Sequence, residues 1–319
     1  MIVIGGLHTD IVARGVKNFP QAGELVRGTQ LAIGPGGKSR NIAAMAGYLS
    51  DKQSVALIGR TAEDQYGLWK PPVEALEAAG VNTDFVYVEP LGDNQKMPAI
   101  TLVPVTEKGE SQISLLPGIS DDFSPEDVDS AHLLFIEAAQ NNAFLVLSLE
   151  CPIPTLKHAA KKAQDHGMRI IFDPGGLETG MDASELVQQA FVIIPNEHEA
   201  KLLSGVTVTD FNSARTAADA MKEQGATNVL ITHGEHGAYL FTEDEEFKVS
   251  IPSVKRGSVR DATGCGDQAT ATFGVALRQG KSLLEAAQLA VLGGTLQFYK
   301  AGIQPITQQE IDTYLNVKS

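Results

Sequence analysis

Short, nearly uninterrupted apolar runs recur along this chain with room for a helix between them, and that alternation constrains the fold more than any other feature. Val55-Ala56-Leu57-Ile58, Leu133-Leu134-Phe135-Ile136, Leu145-Val146-Leu147, Ile170-Ile171-Phe172, Phe191-Val192-Ile193-Ile194, Val229-Leu230-Ile231 and Tyr239-Leu240-Phe241 each read as a strand. Helical stretches fall at 42–49, 155–166, 197–203 and 213–224. Strands that are apolar at every position are buried on both faces, which happens when helices cover a parallel sheet from above and below. The expected fold is therefore α/β, a three-layer α/β/α sandwich with a mostly parallel sheet. At 319 residues, 43% of them hydrophobic and 20% charged, the chain can build one such large domain spanning 1–319.

Two stretches break the rhythm. Residues 10–33 and 83–117 are turn-rich or alternate like Ala99-Ile100-Thr101-Leu102-Val103-Pro104, without a helical period. They are expected to form a small antiparallel β lid. Pro71-Pro72 interrupts a helical pattern at 64–79, so a break or a restart is expected there.

A net charge of −14 argues against general binding to nucleic acid or to a membrane surface, because both are anionic. An anionic ligand must then be held locally. No basic-plus-apolar leader precedes Ile2-Val3-Ile4, and no apolar run reaches the roughly 18 residues of a membrane span, so a cytoplasmic location is expected. The two cysteines, Cys151 and Cys265, lie far apart and suggest neither a zinc site nor a disulfide framework.

The densest chemical signal is Asp261-Ala262-Thr263-Gly264-Cys265-Gly266-Asp267, which follows a β-prone run at 247–259 and opens a small-residue helix at 266–278. Glycines at a helix start leave backbone N–H groups bare, and with the helix dipole they make an anion site. Asp267 in that first turn is either a helix cap or a general base beside a bound phosphate. Cys265 at the helix start has either a lowered thiol pKa or a space-filling role.

Further clusters lie elsewhere. Gly36-Gly37-Lys38-Ser39-Arg40-Asn41 opens an Ala-rich helix, where Lys38 and Asn41 can donate to ligand hydroxyls; it is not a P-loop, since the first glycine of that pattern falls on Ala32. Asn196 and Glu199 share one side of a helix start, suited either to a hydrated Mg²⁺ or to a capping box. Thr232, Gly234 and Gly237 lie in a glycine-containing hairpin that nucleotide can approach. Asp10 and Glu150 end strands, where open α/β sheets bind ligands. Gly264 to Ala269 also fits G-x-G-x-x-A, but the acid that a dinucleotide fold expects about 20 positions on falls on Glu285 in a helical stretch.

Taken in order, these motifs resemble the ribokinase-type sugar kinases, the PfkB family, over essentially the whole chain. Gly36-Gly37 to Asn41 matches the N-terminal signature, Asn196 to Glu199 the N-x-x-E motif, and Asp261 to Asp267 the C-terminal signature; Leu149-Glu150 and Gly302-Ile303-Gln304-Pro305 also have counterparts there. The resemblance implies an ATP-dependent kinase acting on a hydroxyl of a small sugar, a ribose-like pentose or related monosaccharide. Asp267 would be the general base, and the backbone N–H groups of Thr263, Gly264, Cys265, Gly266 and Asp267 would supply the anion hole. Asp10, Gly36, Gly37, Lys38, Asn41 and Glu150 would hold the sugar; Asn196, Thr232, Gly234, Gly237, Thr263, Gly264 and Gly266 would border ATP. Asn196 and Glu199 would organise Mg²⁺ through water, and Asp261 with the Thr263 carbonyl would hold the monovalent cation, K⁺, that many members use. A homodimer joined through the β lid is expected.

Three departures stand out. Ala262 and Cys265 replace threonine and alanine, and Ser39-Arg40 replaces Gly-Ala, putting an extra cation near the sugar or out in solvent. A nucleoside, inositol or sugar-acid kinase on the same fold is the alternative, and a dinucleotide-dependent oxidoreductase a remote one. A non-catalytic sugar sensor would be expected to lose the base or the glycines, and both are intact.

Overall fold

The computed structural model describes residues 1–92, 96–254 and 257–318; residues 93–95 of the expected lid and 255–256 of the β-prone run lie outside the described residues. The chain opens with β1 (Ile2–Ile4), leaves to form β2 (His8–Val16) and β3 (Gln30–Gly36), and returns through α1 (Lys38–Tyr48) to β4 (Ala56–Ala62), α2 (Lys70–Ala78) and β5 (Val86–Glu89). A second excursion gives β6 (Ala99–Thr106) and β7 (Ser114–Leu116). Then follow α3 (Pro125–Ser130), α4 (His132–Gln140), β8 (Phe144–Leu147), α5 (Ile153–Asp165), β9 (Arg169–Phe172), α6 (Ser184–Gln189), β10 (Val192–Ile193), α7 (Glu197–Ser204), α8 (Phe211–Glu223) and β11 (Asn228–Thr232). The antiparallel pair β12 (Ala238–Phe241) and β13 (Glu246–Val249) precedes α9 (Cys265–Arg278), α10 (Leu283–Phe298) and α11 (Gln308–Lys318).

The large sheet runs β13-β12-β11-β10-β9-β8-β1-β4-β5, parallel from β11 to β5. Alternate residues of its strands feed two cores. Val3, Phe144, Val146 and Ile171 pack with α1, α9 and α10, whereas Ile2, Ile4, Leu145, Leu147 and Phe172 pack with α5 and α8. Burial on both faces explains why these strands carry no polar alternation. The architecture is the expected three-layer sandwich.

Four expectations need correction. The run Leu133 to Ile136 is not a strand but lies in α4, with Phe135 and Ala138 facing the core and Leu133 76% exposed, a helical spacing that four residues alone cannot reveal. The small sheet, ordered β3-β2-β6-β7, is mixed: β2 pairs antiparallel with β3, but parallel with β6. β1 and β5 are co-directional strands of the large sheet, so the segments leaving their C-terminal ends depart on the same side and run together. β5, inside the stretch read as lid, is an edge strand of the large sheet. The helical pattern expected from Asp64 does not form before Pro71-Pro72: residues 64–69 make a turn, in which Asp64 accepts the N–H groups of Tyr66 and Trp69 at 2.8 and 3.0 Å, and α2 begins at Lys70 with both prolines in its first turn. Among the described residues, no helix is long and apolar enough to cross a membrane.

Candidate active site

The residues singled out from the sequence gather at the C-terminal edge of the large sheet, where successive strands hand over to loops and helix starts. α9 begins at Gly264, whose φ of 73° lies in the left-handed region that glycine adopts without a steric penalty. No side chain caps this helix. Two N–H groups of the expected anion hole are already occupied, that of Thr263 by Asp261 and that of Cys265 by the Ala262 carbonyl at 3.2 Å; the helical ladder starts with Gln268 donating to the Gly264 carbonyl at 2.9 Å, so the N–H groups of Gly266 and Asp267 precede it.

Asp267 is buried in that first turn and is held from α1. Lys38 Nζ meets one carboxylate oxygen at 2.8 Å and Asn41 Nδ2 donates to the other at 2.7 Å. Each oxygen keeps a lone pair for a substrate hydroxyl. Lys38 Nζ also pairs with Asp173 at 3.3 Å, and that buried carboxylate accepts from Thr270 Oγ1 at 2.7 Å and from the Gly175 N–H at 3.0 Å. Sequence reasoning missed Asp173, although it follows β9 directly and meets the strand-end criterion that picked out Asp10 and Glu150.

Glu150 reaches across to the start of α1 and accepts the N–H of Lys38 at 2.5 Å and of Ser39 at 3.4 Å. Burial, with the Asp267 charge second, pushes its carboxyl up to about 7. Asp10 does not end a strand as expected but lies within β2 of the small sheet, paired with Gly34 and Thr101, and its carboxyl is raised by burial, against the opposing influence of its Thr101 hydrogen bond. A Cβ at Gly36 would lie 2.0 Å from Asp10 Oδ1, so a side chain there would displace the Asp10 carboxylate. Arg40 does not point to solvent. It is 1% exposed, its Nε donates to the Gly36 carbonyl at 3.2 Å and its Nη2 to Asn41 Oδ1, and Asp10, Asp267 and Glu150 all act on its charge.

Asn196 and Glu199 form a reciprocal capping box at the start of α7, each accepting the other's backbone N–H at 2.9 Å. Burial and then the Asp173 charge raise the Glu199 carboxyl to about 7. Thr232, Gly234, Gly237, Asn196, Cys265 and Gly266 line a cavity of about 660 Å³. Its apolar wall, including Leu230, Val291, Phe298 and Tyr299, carried no local sequence signal. Thr263 and Gly264 lie beside this cavity's lining segment rather than in it. Asp261 accepts the N–H groups of Thr263 and Gly302 at 2.9 and 2.8 Å. The Cys265 thiol is not activated by its helix start: burial, then Asp261 and Asp267, push it up to about 12.

Residues 1–309 match the pfkB family carbohydrate kinase. The chain belongs to the pfkB family of carbohydrate kinases. As a family member it is a phosphotransferase, and the oxidoreductase alternative falls; Glu285, its would-be ribose acid, instead caps α10 with Ser282. The chain is 30% identical to a ribokinase of Bacillus subtilis (strain 168) over 316 residues, covering 98% of each. It is 28% identical to a deoxyribokinase of Salmonella typhi over 302 residues, covering 95% of this chain and 93% of that one. The structure of Arabidopsis thaliana ribokinase complexed with ribose and ATP superposes with a TM-score of 0.83 at 26% identity, covering 98% and 97% of the two chains.

Proposed function

We propose that this kinase transfers the γ-phosphoryl group of ATP to a hydroxyl of a ribose-like pentose or related monosaccharide, with Asp267 as general base. The observation that carries this reading is the position of Asp267: one helical turn holds both the carboxylate and the bare N–H groups of Gly266 and Asp267. A base and an anion-binding site side by side are what a hydroxyl attacking a phosphoryl group requires. Relatives named ribokinase and deoxyribokinase, and one solved with ribose and ATP, support the substrate class.

In this mechanism Asp10, Glu150 and Asn41 orient the sugar, while Gly36 and Gly37 let it approach the backbone. Asp267 accepts the proton of the attacking hydroxyl. Lys38, held by two carboxylates, fixes the base and offers positive charge where phosphoryl charge develops. ATP occupies the cavity bordered by Asn196, Thr232, Gly234 and Gly237, with the base against Phe298 and Tyr299. The crowding of Asp173, Glu199 and Asp267 around one lysine suits a divalent cation, and no group of three or more His, Cys, Asp or Glu among the described residues forms a direct metal cage. Mg²⁺ organised there by Glu199 and Asn196 through water would neutralise the phosphates of ATP.

Arg40 favours a neutral polyol over a sugar acid. Its charge is already met by Asp10, Asp267 and Glu150, and two of its donors are engaged by Asn41 and Gly36. The protein assembles as a homodimer through the small sheet, whose face opposite Asp10 exposes Leu31, Ile33, Leu102 and Leu116. ADP release followed over a panel of pentoses, hexoses, nucleosides, inositol and sugar acids with Mg-ATP tests the function. Turnover with a neutral sugar is expected; turnover confined to sugar acids or nucleosides, or absent throughout, would overturn it.

A further inference from the structure

Directly beneath the start of α9, the side-chain amide of Gln297 is fully buried at 0% exposure, and its nitrogen donates to two backbone carbonyls at once. Gln297 Nε2 lies 3.2 Å from the Thr263 oxygen and 2.7 Å from the Gly302 oxygen. A primary amide nitrogen carries two N–H bonds, and both are used here. Its Oε1 has no partner among the described residues. Reversing the amide would aim an acceptor oxygen at two other acceptor oxygens, so the two carbonyls fix which atom is nitrogen. A buried acceptor left unpaired is costly, so the side chain is kept in this pose by what its nitrogen joins.

It joins the loop that enters α9 to the turn that follows α10. Asp261 reinforces the same junction by accepting the N–H groups of Thr263 and Gly302, and the Asp261 N–H donates to the Phe298 carbonyl at 3.0 Å. A Cβ placed on Gly264, the residue that opens the anion hole, would lie 3.8 Å from Gln297 Nε2. The amide is therefore in the layer that supports the bare N–H groups.

The family resemblance assigns a monovalent cation to Asp261 and the Thr263 carbonyl, and the residues present do not suit one. A cation in contact with the Thr263 and Gly302 carbonyls would need the space that Gln297 Nε2 fills. We infer that the Gln297 amide takes the place of that cation, drawing the two carbonyls together from within, so that phosphoryl transfer by this chain needs no added K⁺. The inference rests on the kinase reading above.

The test compares KCl with tetramethylammonium chloride at equal ionic strength, measuring ADP release, ATP affinity and melting temperature of the full chain. The unmodified protein should differ by less than about twofold in turnover and ATP affinity, with no K⁺-specific shift in melting. Activation by K⁺ of tenfold or more, or a K⁺-specific melting shift, overturns the inference. Gln297→Ala opens the space between the carbonyls and should lower turnover in tetramethylammonium, with K⁺ restoring it at least fivefold. Parental turnover in that variant without K⁺, or a loss that K⁺ does not restore, also overturns it. If no sugar elicits ADP release in either salt, the kinase reading fails instead, and ATP affinity and melting still decide the cation question. Those two measurements on the unmodified chain also stand if the variant does not fold.

Discussion

Asn41 and Asp267 lie 226 positions apart in the chain and meet at 2.7 Å, the amide of one donating to the carboxylate of the other. Arg40 holds that amide from behind through Asn41 Oδ1, so the orientation of the candidate base is set by three residues in series: Arg40, Asn41 and Asp267. Lys38 grips the second oxygen. One helix start, that of α1, therefore aims a carboxylate carried on another.

Removing the base separates chemistry from binding. Asp267→Asn should keep the fold and ATP binding while lowering kcat by about 10²–10⁴, the range for a positioned general base. Single-turnover kinetics beside ATP titration checks this; near-parental kcat would leave Asp267 as a helix cap.

The proposed anion hole depends on backbone approach. Gly264→Val places a β-branched residue at a φ of 73° with Met45 Cε only 3.1 Å from the new Cβ. Strain and misplaced N–H groups should reduce kcat/KM for ATP by at least about tenfold, in line with the loss of one such donor. Unchanged ATP kinetics would remove Gly264 from the phosphate site.

Arg40 acts through Asn41, and that makes its role measurable. Arg40→Gln removes the donor that fixes the Asn41 amide and leaves Asp10, Asp267 and Glu150 without their shared cation. Both sugar KM and kcat should worsen, by up to about 10²-fold for a misaligned site. Arg40→Lys, which keeps charge without the planar fork, should recover only part. A variant with parental kinetics would show that the guanidinium only fills space.

Glu150 gives a pH dependence with a definite sign. Its folded pKa of about 7 exceeds the ordinary 4.5, because burial and the Asp267 charge oppose ionisation. The folded chain thus holds this proton more tightly than the unfolded one, and the group's contribution to stability is lost as pH rises from about 4.5 to about 7. Ligand-free melting of Glu150→Gln relative to the parent should rise across that window. A sugar hydroxyl donating to Glu150 prefers the ionised form, so sugar KM should fall as pH approaches 7 from below. A flat KM profile would take Glu150 out of the sugar site.

Parts of this architecture are legible in the sequence for a physical reason. Strands such as Leu145-Val146-Leu147 are buried on both sides, so composition alone announces them. Leu133 to Ile136 shows the same composition in a helix, and only the 76% exposure of Leu133 beside buried Phe135 tells them apart. The parallel pairing of β2 with β6 depends on where β1 and β5 end, a relation that no local pattern contains. The direction of Arg40 and the carbonyl partners of Gln297 are likewise set by contacts between distant segments. Asp173, in contrast, carried a readable signal, since it stands directly after β9 as an acid at a strand end.

The small sheet offers the last prediction. Ile33 pairs with Ile11 and Ile11 with Leu102, while Leu31 pairs with Ala13 and Leu116 with Ile100. Residues paired across strands share a face, so Leu31, Ile33, Leu102 and Leu116 line one side and Asp10 with Thr101 the other. An apolar face of this kind, on a sheet with open edges, is what a second copy would cover. Ile33→Lys with Leu102→Lys should convert a dimer to a monomer in sedimentation at micromolar concentration. In the proposed mechanism the sheet carries Asp10 toward the sugar, so hydrogen exchange over β6 and β7 should slow when the true substrate is added. A parent chain that sediments as a monomer removes the dimer, and exchange indifferent to substrate removes the lid.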